Sequence, residues 1–290
     1  MRDLSYIISE FKKSLSELGV KKGDTLYFSS DIQKMLFILR FNYDFDVQQD
    51  VDNLFNALVN CLQEIVGEEG TLLFPVFTWN ICRGLSFDYQ KTLGETGALQ
   101  NWIMLNRKDF KRTTHPIYSF MVWGKDAGEL LAMQNQESFG SDSPFQYLYD
   151  KHAKQILFDV DATNSLTFAH YVEQVIKVPF RHHKYFFCEY TDALGKKEKR
   201  NYSMFVRDLD RCGAPKFSTA FILEKKAAQQ TKFLECSVAI IDLVAFFDVI
   251  KDDYLNNNSQ NISVFLNGYE PVVGAEPTVP YEIGCVDVIK

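Results

Sequence analysis

Residues 154–176 read KQILFDVDATNSLTFAHYVEQVI, and this stretch decides the fold. KQILFDV (154–160) is a short apolar run of strand length, the kind buried on both faces of a sheet. TFAHYVEQVI (167–176) follows it as a helix. The same strand-then-helix alternation runs outward in both directions. Upstream, TLYFSS (25–30), TLLFPVFTW (71–79, stopped by Pro75) and IYSFMVWG (117–124) read as strands. Helical spacing marks Leu4 to Leu18 with Gly19 as C-cap, then 48–66, 97–107, 125–134 and 143–152. Downstream, residues 185–206 read as a β-hairpin, 221–230 as a helix and 237–255 as the last long helix, before a short Pro-rich end. The expected architecture is three-layer α/β/α with a mixed central sheet and an inserted β-hairpin, in a single domain spanning 1–290. Asn256 to Asn261 reads as a surface loop.

Composition narrows the function. Of 290 residues, 46% are hydrophobic and 24% charged, which is ordinary globular usage. The 25 Phe and 14 Tyr, spread along the whole chain, predict an aromatic-rich core. A net charge of −7 disfavours nucleic acid or an anionic membrane as partner and suits a cationic small molecule. The one basic cluster, Lys196, Lys197, Lys199 and Arg200, reads as solvated charge at a hairpin tip, with phosphate contact as the alternative. Six cysteines with no C-x-x-C spacing read as reduced, buried thiols of a cytoplasmic protein. The charge-broken N-terminus is neither signal peptide nor membrane span. Oligomeric state is silent in the sequence.

No G-x-G-x-x-G, P-loop or G-x-S-x-G motif occurs, so dinucleotide, NTP and α/β-hydrolase chemistry lack their signatures. Chemistry-bearing residues gather around the opening stretch. His170 and Glu173 sit three apart in a helix, about 5–6 Å at Cβ. Such a pair serves as a base with its orienting carboxylate, or as a plain helix-surface ion pair. Asp159 and Asp161 form D-x-D at a strand end, with His170, Glu173, His182 and His183 downstream. That set permits a metal-dependent sugar or nucleotide-sugar enzyme as the alternative reading. His115, fixed in extended backbone by Pro116, is either a turn histidine or a contact for phosphate or acyl oxygen.

Ordered blocks then carry a resemblance. GVKKGDTLYFSS (19–30), TLLFPVFTWN (71–80), FDYQKTLGETGALQNWI (87–103), RTTHPIYSFMVWGKDAGEL (112–130), SPFQYLYDKHAKQILF (143–158) and TFAHYVEQ (167–174) resemble, in this order, segments of the aminoglycoside 3-N-acetyltransferase family. The resemblance implies an acyltransferase that moves acetyl from acetyl-CoA to an amine of an amino sugar, on a fold unrelated to the common GNAT acetyltransferases. It also implies His170 as general base, Glu173 as its orienter, and Thr167, Ser29, Ser30, His115 and Ser119 as the lining of the CoA site. Direct transfer without an acyl-enzyme and without a metal is expected. Where the family has Gly-Val-Gly, this chain reads Asp159-Val160-Asp161, expected to hold the substrate ammonium. The segment 31–46 also lacks the family's small-residue loop. These departures point to an acceptor among the amino sugars of surface polysaccharides rather than an antibiotic, so both polysaccharide biosynthesis and antibiotic resistance enter as roles.

Overall fold

The computed structural model describes residues 4–43, 45–277, 279 and 281–283. Its helices are α1 (Leu4–Glu17), α2 (Gln33–Asn42), α3 (Val47–Val66), α4 (Ala98–Asn106), α5 (Ala127–Ala132), α6 (Pro144–Asp150), α7 (Ala162–Ser165), α8 (Phe168–Val175), α9 (Thr219–Glu224) and α10 (Leu243–Asn257). Its strands are β1 (Thr25–Ser30), β2 (Thr71–Pro75), β3 (Phe87–Asp88), β4 (Lys111–Arg112), β5 (Phe120–Gly124), β6 (Lys154–Phe158), β7 (Arg181–Thr191), β8 (Lys197–Arg207), β9 (Cys212–Pro215), β10 (Ala228–Phe233), β11 (Cys236–Asp242), β12 (Ser263–Phe265) and β13 (Tyr281–Ile283).

A seven-stranded sheet in the order β10-β11-β6-β1-β2-β5-β4 forms the middle layer. β1 lies parallel to both β2 and β6, while β11 and β5 flank them antiparallel, so the sheet is mixed as the alternation predicts. The side chains of its central strands alternate between two cores. Leu26, Phe28, Leu72, Phe74, Ile156 and Phe158 pack beneath α1, α3 and α4. Tyr27, Leu73, Leu157 and Ile241 pack beneath α6, α8 and α10 on the other face. Phenylalanines mesh edge to face within both layers: Phe11 meets Phe28 and Phe158 on one side, and Phe77, Phe120 and Phe145 meet on the other.

The hairpin of β7 and β8 pairs without a break from Arg181↔Arg207 to Thr191↔Lys197 and forms a second sheet with β3 and β13. At its tip Lys196, Lys197 and Lys199 are exposed. Arg200 instead stacks on Tyr190 at 3.8 Å and bonds Glu198. Cys61, Cys188, Cys212 and Cys236 are buried free thiols and Cys82 is half-buried, while Cys285 lies outside the described residues. Among the described residues no helix is long and apolar enough to cross a membrane.

Three local expectations need correction. The helix read at 221–230 ends at Glu224, and Ala228–Phe233 is the edge strand β10. The long helix read at 237–255 is two elements, because Cys236–Asp242 pairs with β6 and only Leu243–Asn257 is helical. Asp242 makes the break: its carboxylate accepts from the amides of Val244 and Ala245 as an N-cap. In the loop read at 256–261, Ser259 is fully buried.

One buried cation organises the approach to the sheet's open end. Arg112 is 3% exposed, and its guanidinium donates to Ser119 Oγ (2.9 Å), the carbonyls of Tyr89 (3.1 Å) and Thr92 (2.6 Å), and the Val76 carbonyl (3.3 Å). Four groups from three segments are thereby held together beside β5. Its removal strands those carbonyls in the interior. Arg112→Met is expected to lower the unfolding free energy by about 3 kcal/mol, read by urea denaturation; a loss under about 0.5 kcal/mol would mean that other donors satisfy them.

Candidate active site

The parallel strands β1, β2 and β6 all end at the same edge of the sheet, and a cleft of about 480 Å³ opens there. Crevices at the carboxyl ends of parallel strands are where open α/β sheets bind ligands, because backbone polar groups and the following loops converge there. Ser29 and Ser30, the last residues of β1, line it. Ser29 Oγ accepts from Gln155 Nε2 at 3.0 Å and neighbours the Tyr27 phenol, and Ser30 Oγ accepts from Gln100 Nε2 at 3.1 Å, which leaves the Ser30 hydroxyl proton to be donated. The loop at Thr96–Gly97 forms the opposite wall. Gly97 has φ +135°, and a Cβ there would meet Gln100 Oε1 at 2.3 Å and the Ser30 carbonyl at 3.1 Å, so only glycine allows this approach.

His170 lines the same cleft from α8. Phe168, Ala169, Tyr171 and Val172 bury the core-facing side of this helix, and the three-residue offset from His170 carries Glu173 inward with them. His170 Nδ1 lies 2.9 Å from Glu173 Oε2, with side chains 27% and 4% exposed respectively. A third group completes the cluster. Arg181, the first residue of β7, is buried and places Nε 2.9 Å from Glu173 Oε2 and Nη2 3.0 Å from His170 Nδ1. Its Nη1 donates to the Phe205 carbonyl at 3.1 Å, which locks the guanidinium to the hairpin.

Electrostatics fix the protonation pattern. Burial alone would raise the Glu173 carboxyl, but the Arg181 guanidinium and the His170 ring outweigh it and hold the acid below the usual carboxylate range. Burial, reinforced by the Arg181 charge, pushes His170 below 6.5 despite the bond to Glu173. The histidine is therefore neutral near physiological pH. Two groups compete for Nδ1: the Glu173 carboxylate, which accepts, and Arg181 Nη2, which can only donate; the tautomer with Nδ1–H bonded to Glu173 is the one that leaves the Nε2 lone pair free.

The structure brings together only part of the residues singled out from sequence. Ser29, Ser30, Thr167 and His170 share the cleft, with Glu173 behind His170. Thr167 occupies the N-cap position of α8 without a side-chain capping bond, and its hydroxyl neighbours the Tyr27 phenol. Four residues do not join them. His115 is 1% exposed, its Nδ1 accepts from the amides of Ile117 (3.3 Å) and Tyr118 (3.2 Å), and burial lowers its pKa to about 3: it is a turn histidine. Ser119 is fully buried and spent on Arg112 and the Val76 carbonyl.

Asp161 is an N-cap that accepts from the amides of Thr163 (2.9 Å) and Thr219 (3.1 Å), and Asp159 accepts from the Ser237 amide at 3.1 Å. Neither carboxylate lines the cleft; Val160 between them does. Asp159 has φ +51°, the left-handed region, which is why a glycine suits that position and why an aspartate, tolerant of it, can replace one. His182 and His183 run up the second sheet. Among the described residues no group of three or more His, Cys, Asp or Glu is placed to hold a metal ion, so the donor set of the metal-dependent reading is not assembled.

Comparison with known proteins agrees with this arrangement. The family model described as aminoglycoside 3-N-acetyltransferase matches residues 44–254. The SPbeta prophage-derived aminoglycoside N(3′)-acetyltransferase-like protein YokD of Bacillus subtilis (strain 168) is 25% identical over 179 residues. That match spans 54% of this chain and 61% of YokD, less than two thirds of its length. Among solved structures, AAC-IIIb in its binary complex with CoASH aligns at TM-score 0.67 and 16% identity, covering 86% of this chain and 96% of that one. YokD itself aligns at TM-score 0.65 and 20% identity (86% and 99% covered), and sisomicin-bound AAC-VIa at TM-score 0.67 and 20% identity (87% and 98% covered). These likenesses fix the three-layer fold, and the family match over most of the sequence shows that the chain belongs to the aminoglycoside 3-N-acetyltransferase family.

Proposed function

We propose that this protein transfers the acetyl group of acetyl-CoA to an amine of an amino sugar, with His170 as general base. The observation that carries this reading is an imidazole at the cleft wall backed by a buried Glu173–Arg181 pair. Membership of the family supports it, as do the CoASH bound by AAC-IIIb and the sisomicin bound by AAC-VIa.

The cleft's chemistry suits both substrates. Its lining contains Asp31 and Glu95 but no lysine or arginine among the described residues, which favours a cationic acceptor. Ser29, Ser30 and Thr167 offer neutral hydroxyls to the amides and carbonyls of a pantetheine arm. An ammonium has no lone pair, so the acceptor first releases one proton to solvent, and the neutral amine that attacks must give up a second as its C–N bond forms. His170 Nε2 takes that proton while the new C–N bond forms at the thioester carbon. Glu173 stabilises the resulting imidazolium. The thioester oxygen becomes an oxyanion, and the Thr167 hydroxyl is the side-chain donor closest in sequence to the base that lines the cleft. Collapse breaks the C–S bond, and the proton on Nε2 passes to the departing thiolate.

The acceptor's charge is the finer point. Glu95 is held at about pKa 2, chiefly by Arg83, whose Nη2 lies 2.5 Å away, so its charge is already matched. Asp31, whose Oδ1 accepts from the Gln33 amide at 3.0 Å, is the lining carboxylate with no ion-pair partner among the described residues, which fits an amino sugar with one or two ammonium groups better than a polycationic aminoglycoside. A surface-polysaccharide amino sugar is the class this selects.

Four outcomes test the reading. His170→Ala should lower kcat about 10²–10⁴-fold at unchanged acetyl-CoA affinity, with the fold retained by circular dichroism; full activity in that variant would end the base assignment. The acidic limb of kcat/KM should lie below pH 6.5, since the base works only when neutral and its pKa is lowered. Arg181→Met removes a charge that opposes protonation and should move that limb to higher pH; a shift downward contradicts the electrostatic account. In acceptor competition, a monoamino sugar should show higher kcat/KM than sisomicin, and the reverse order would return the assignment to antibiotic substrates.

A further inference from the structure

Helix α2 lies between the end of β1 and α3, ahead of the stretch that matches the family model. It starts at the cleft: Asp31, Ile32 and Gln33 are lining residues. Its underside is ordinary core, with Met35, Ile38 and Leu39 buried. Its outer face is not ordinary. Gln33, Phe37 and Phe41 recur every four residues, so they form one stripe running about 12 Å away from the cleft mouth. Phe37 is 63% and Phe41 64% exposed, their ring centroids are 4.5 Å apart, and the Arg40 guanidinium lies over Phe41 at 5.7 Å. Two adjacent phenylalanines held in water are costly unless something covers them.

The cleft's charge says what that is. Acetyl-CoA carries a diphosphate, a 3′-phosphate and an adenine at the end remote from its thioester. The cleft lining holds carboxylates and, among the described residues, no cation to receive phosphate. The nucleotide end must therefore leave the cleft, and the face that continues from the lining residue Gln33 offers two exposed rings and a cation. Lys34 on the same helix is already bonded to the Glu235 carbonyl and lies 3.5 Å from Asp159, which anchors α2 beside β11 and leaves Arg40 as the phosphate-facing charge.

We infer that Phe37 and Phe41 form a stacking platform for the adenine of acetyl-CoA, with Arg40 contacting a phosphate of the same nucleotide. This rests on the acetyl-CoA reading above. It also gives the aromatic outer face of the 31–46 segment a role.

The test compares two acetyl donors, acetyl-CoA and S-acetylpantetheine, which lacks the nucleotide, in the full chain. The double variant Phe37→Ala/Phe41→Ala removes only exposed side chains, and its fold is checked by circular dichroism and melting temperature. The KM for acetyl-CoA should rise roughly tenfold, as expected for loss of base–aromatic stacking, while the kinetics with S-acetylpantetheine and the KM for the acceptor stay unchanged. Arg40→Ala should raise the KM for acetyl-CoA and flatten its salt dependence. An unchanged KM for acetyl-CoA overturns the platform but leaves the acetyl-CoA reading standing, as does an equal loss with both donors. So does a variant that converts a dimer to a monomer at constant KM, because the rings would then cover a second copy of the chain. Failure of the wild-type protein to bind or turn over acetyl-CoA overturns both inferences together.

Discussion

Glu173 is an ionised carboxylate in the protein interior, and the site depends on how that charge is held. Arg181 Nε and His170 Nδ1 each approach its Oε2 at 2.9 Å. Removing one partner of such a buried pair leaves an uncompensated charge, typically at a cost of about 3–5 kcal/mol, whereas the intact pair adds little net stability. Its value here is positional. Glu173 belongs to α8 and Arg181 to β7, so the pair ties the helix under the main sheet to the hairpin of the second sheet, and it does so directly behind the histidine that faces the cleft.

The rest of the architecture brings substrates to that point. Strict alternation along β1, β2 and β6 buries both faces of the sheet, leaving only its open edge for polar work. Ser29 and Ser30 stand at that edge because they end β1, Gly97 lets the opposing loop come close, and Arg112 holds the segments that carry the loop. Chemistry is thus confined to the place where the hydrophobic pattern stops.

Much of this was legible in the sequence for physical reasons. The apolar runs at 25–30, 71–75 and 154–158 could only be buried strands, and the three-residue offset of His170 and Glu173 required one helix face. Arg181 was missed because it sits on another element from Glu173; its only local signal is an arginine directly after the apolar Val178-Pro179-Phe180, where a charge carried inward must find a buried partner. The aspartates of D-x-D were misread as ligand groups because a carboxylate's job depends on nearby amides: Asp161 caps α7, and Asp159 takes a left-handed turn. Residues 237–255 merged in sequence because SVAIID and LVAFFDVI are both continuously apolar; Asp242, an N-cap residue, was the available break. At 228–233, glutamines and lysine with helical propensity were overridden by pairing along β11.

The central claim is that burial and the Arg181 charge keep His170 neutral against the pull of Glu173, while Glu173 holds the remaining ring proton on Nδ1. Nitrogen-15 NMR of histidine-labelled protein, with the His170 resonances assigned by their loss in His170→Gln, measures this directly. The account predicts a protonated Nδ1 and a bare Nε2 at neutral pH, with imidazolium forming only well into the acid range. A proton on Nε2 would mean that Arg181 donates to Nδ1, and an imidazolium at neutral pH would mean that Glu173 outweighs burial and Arg181; either result removes His170 as the base.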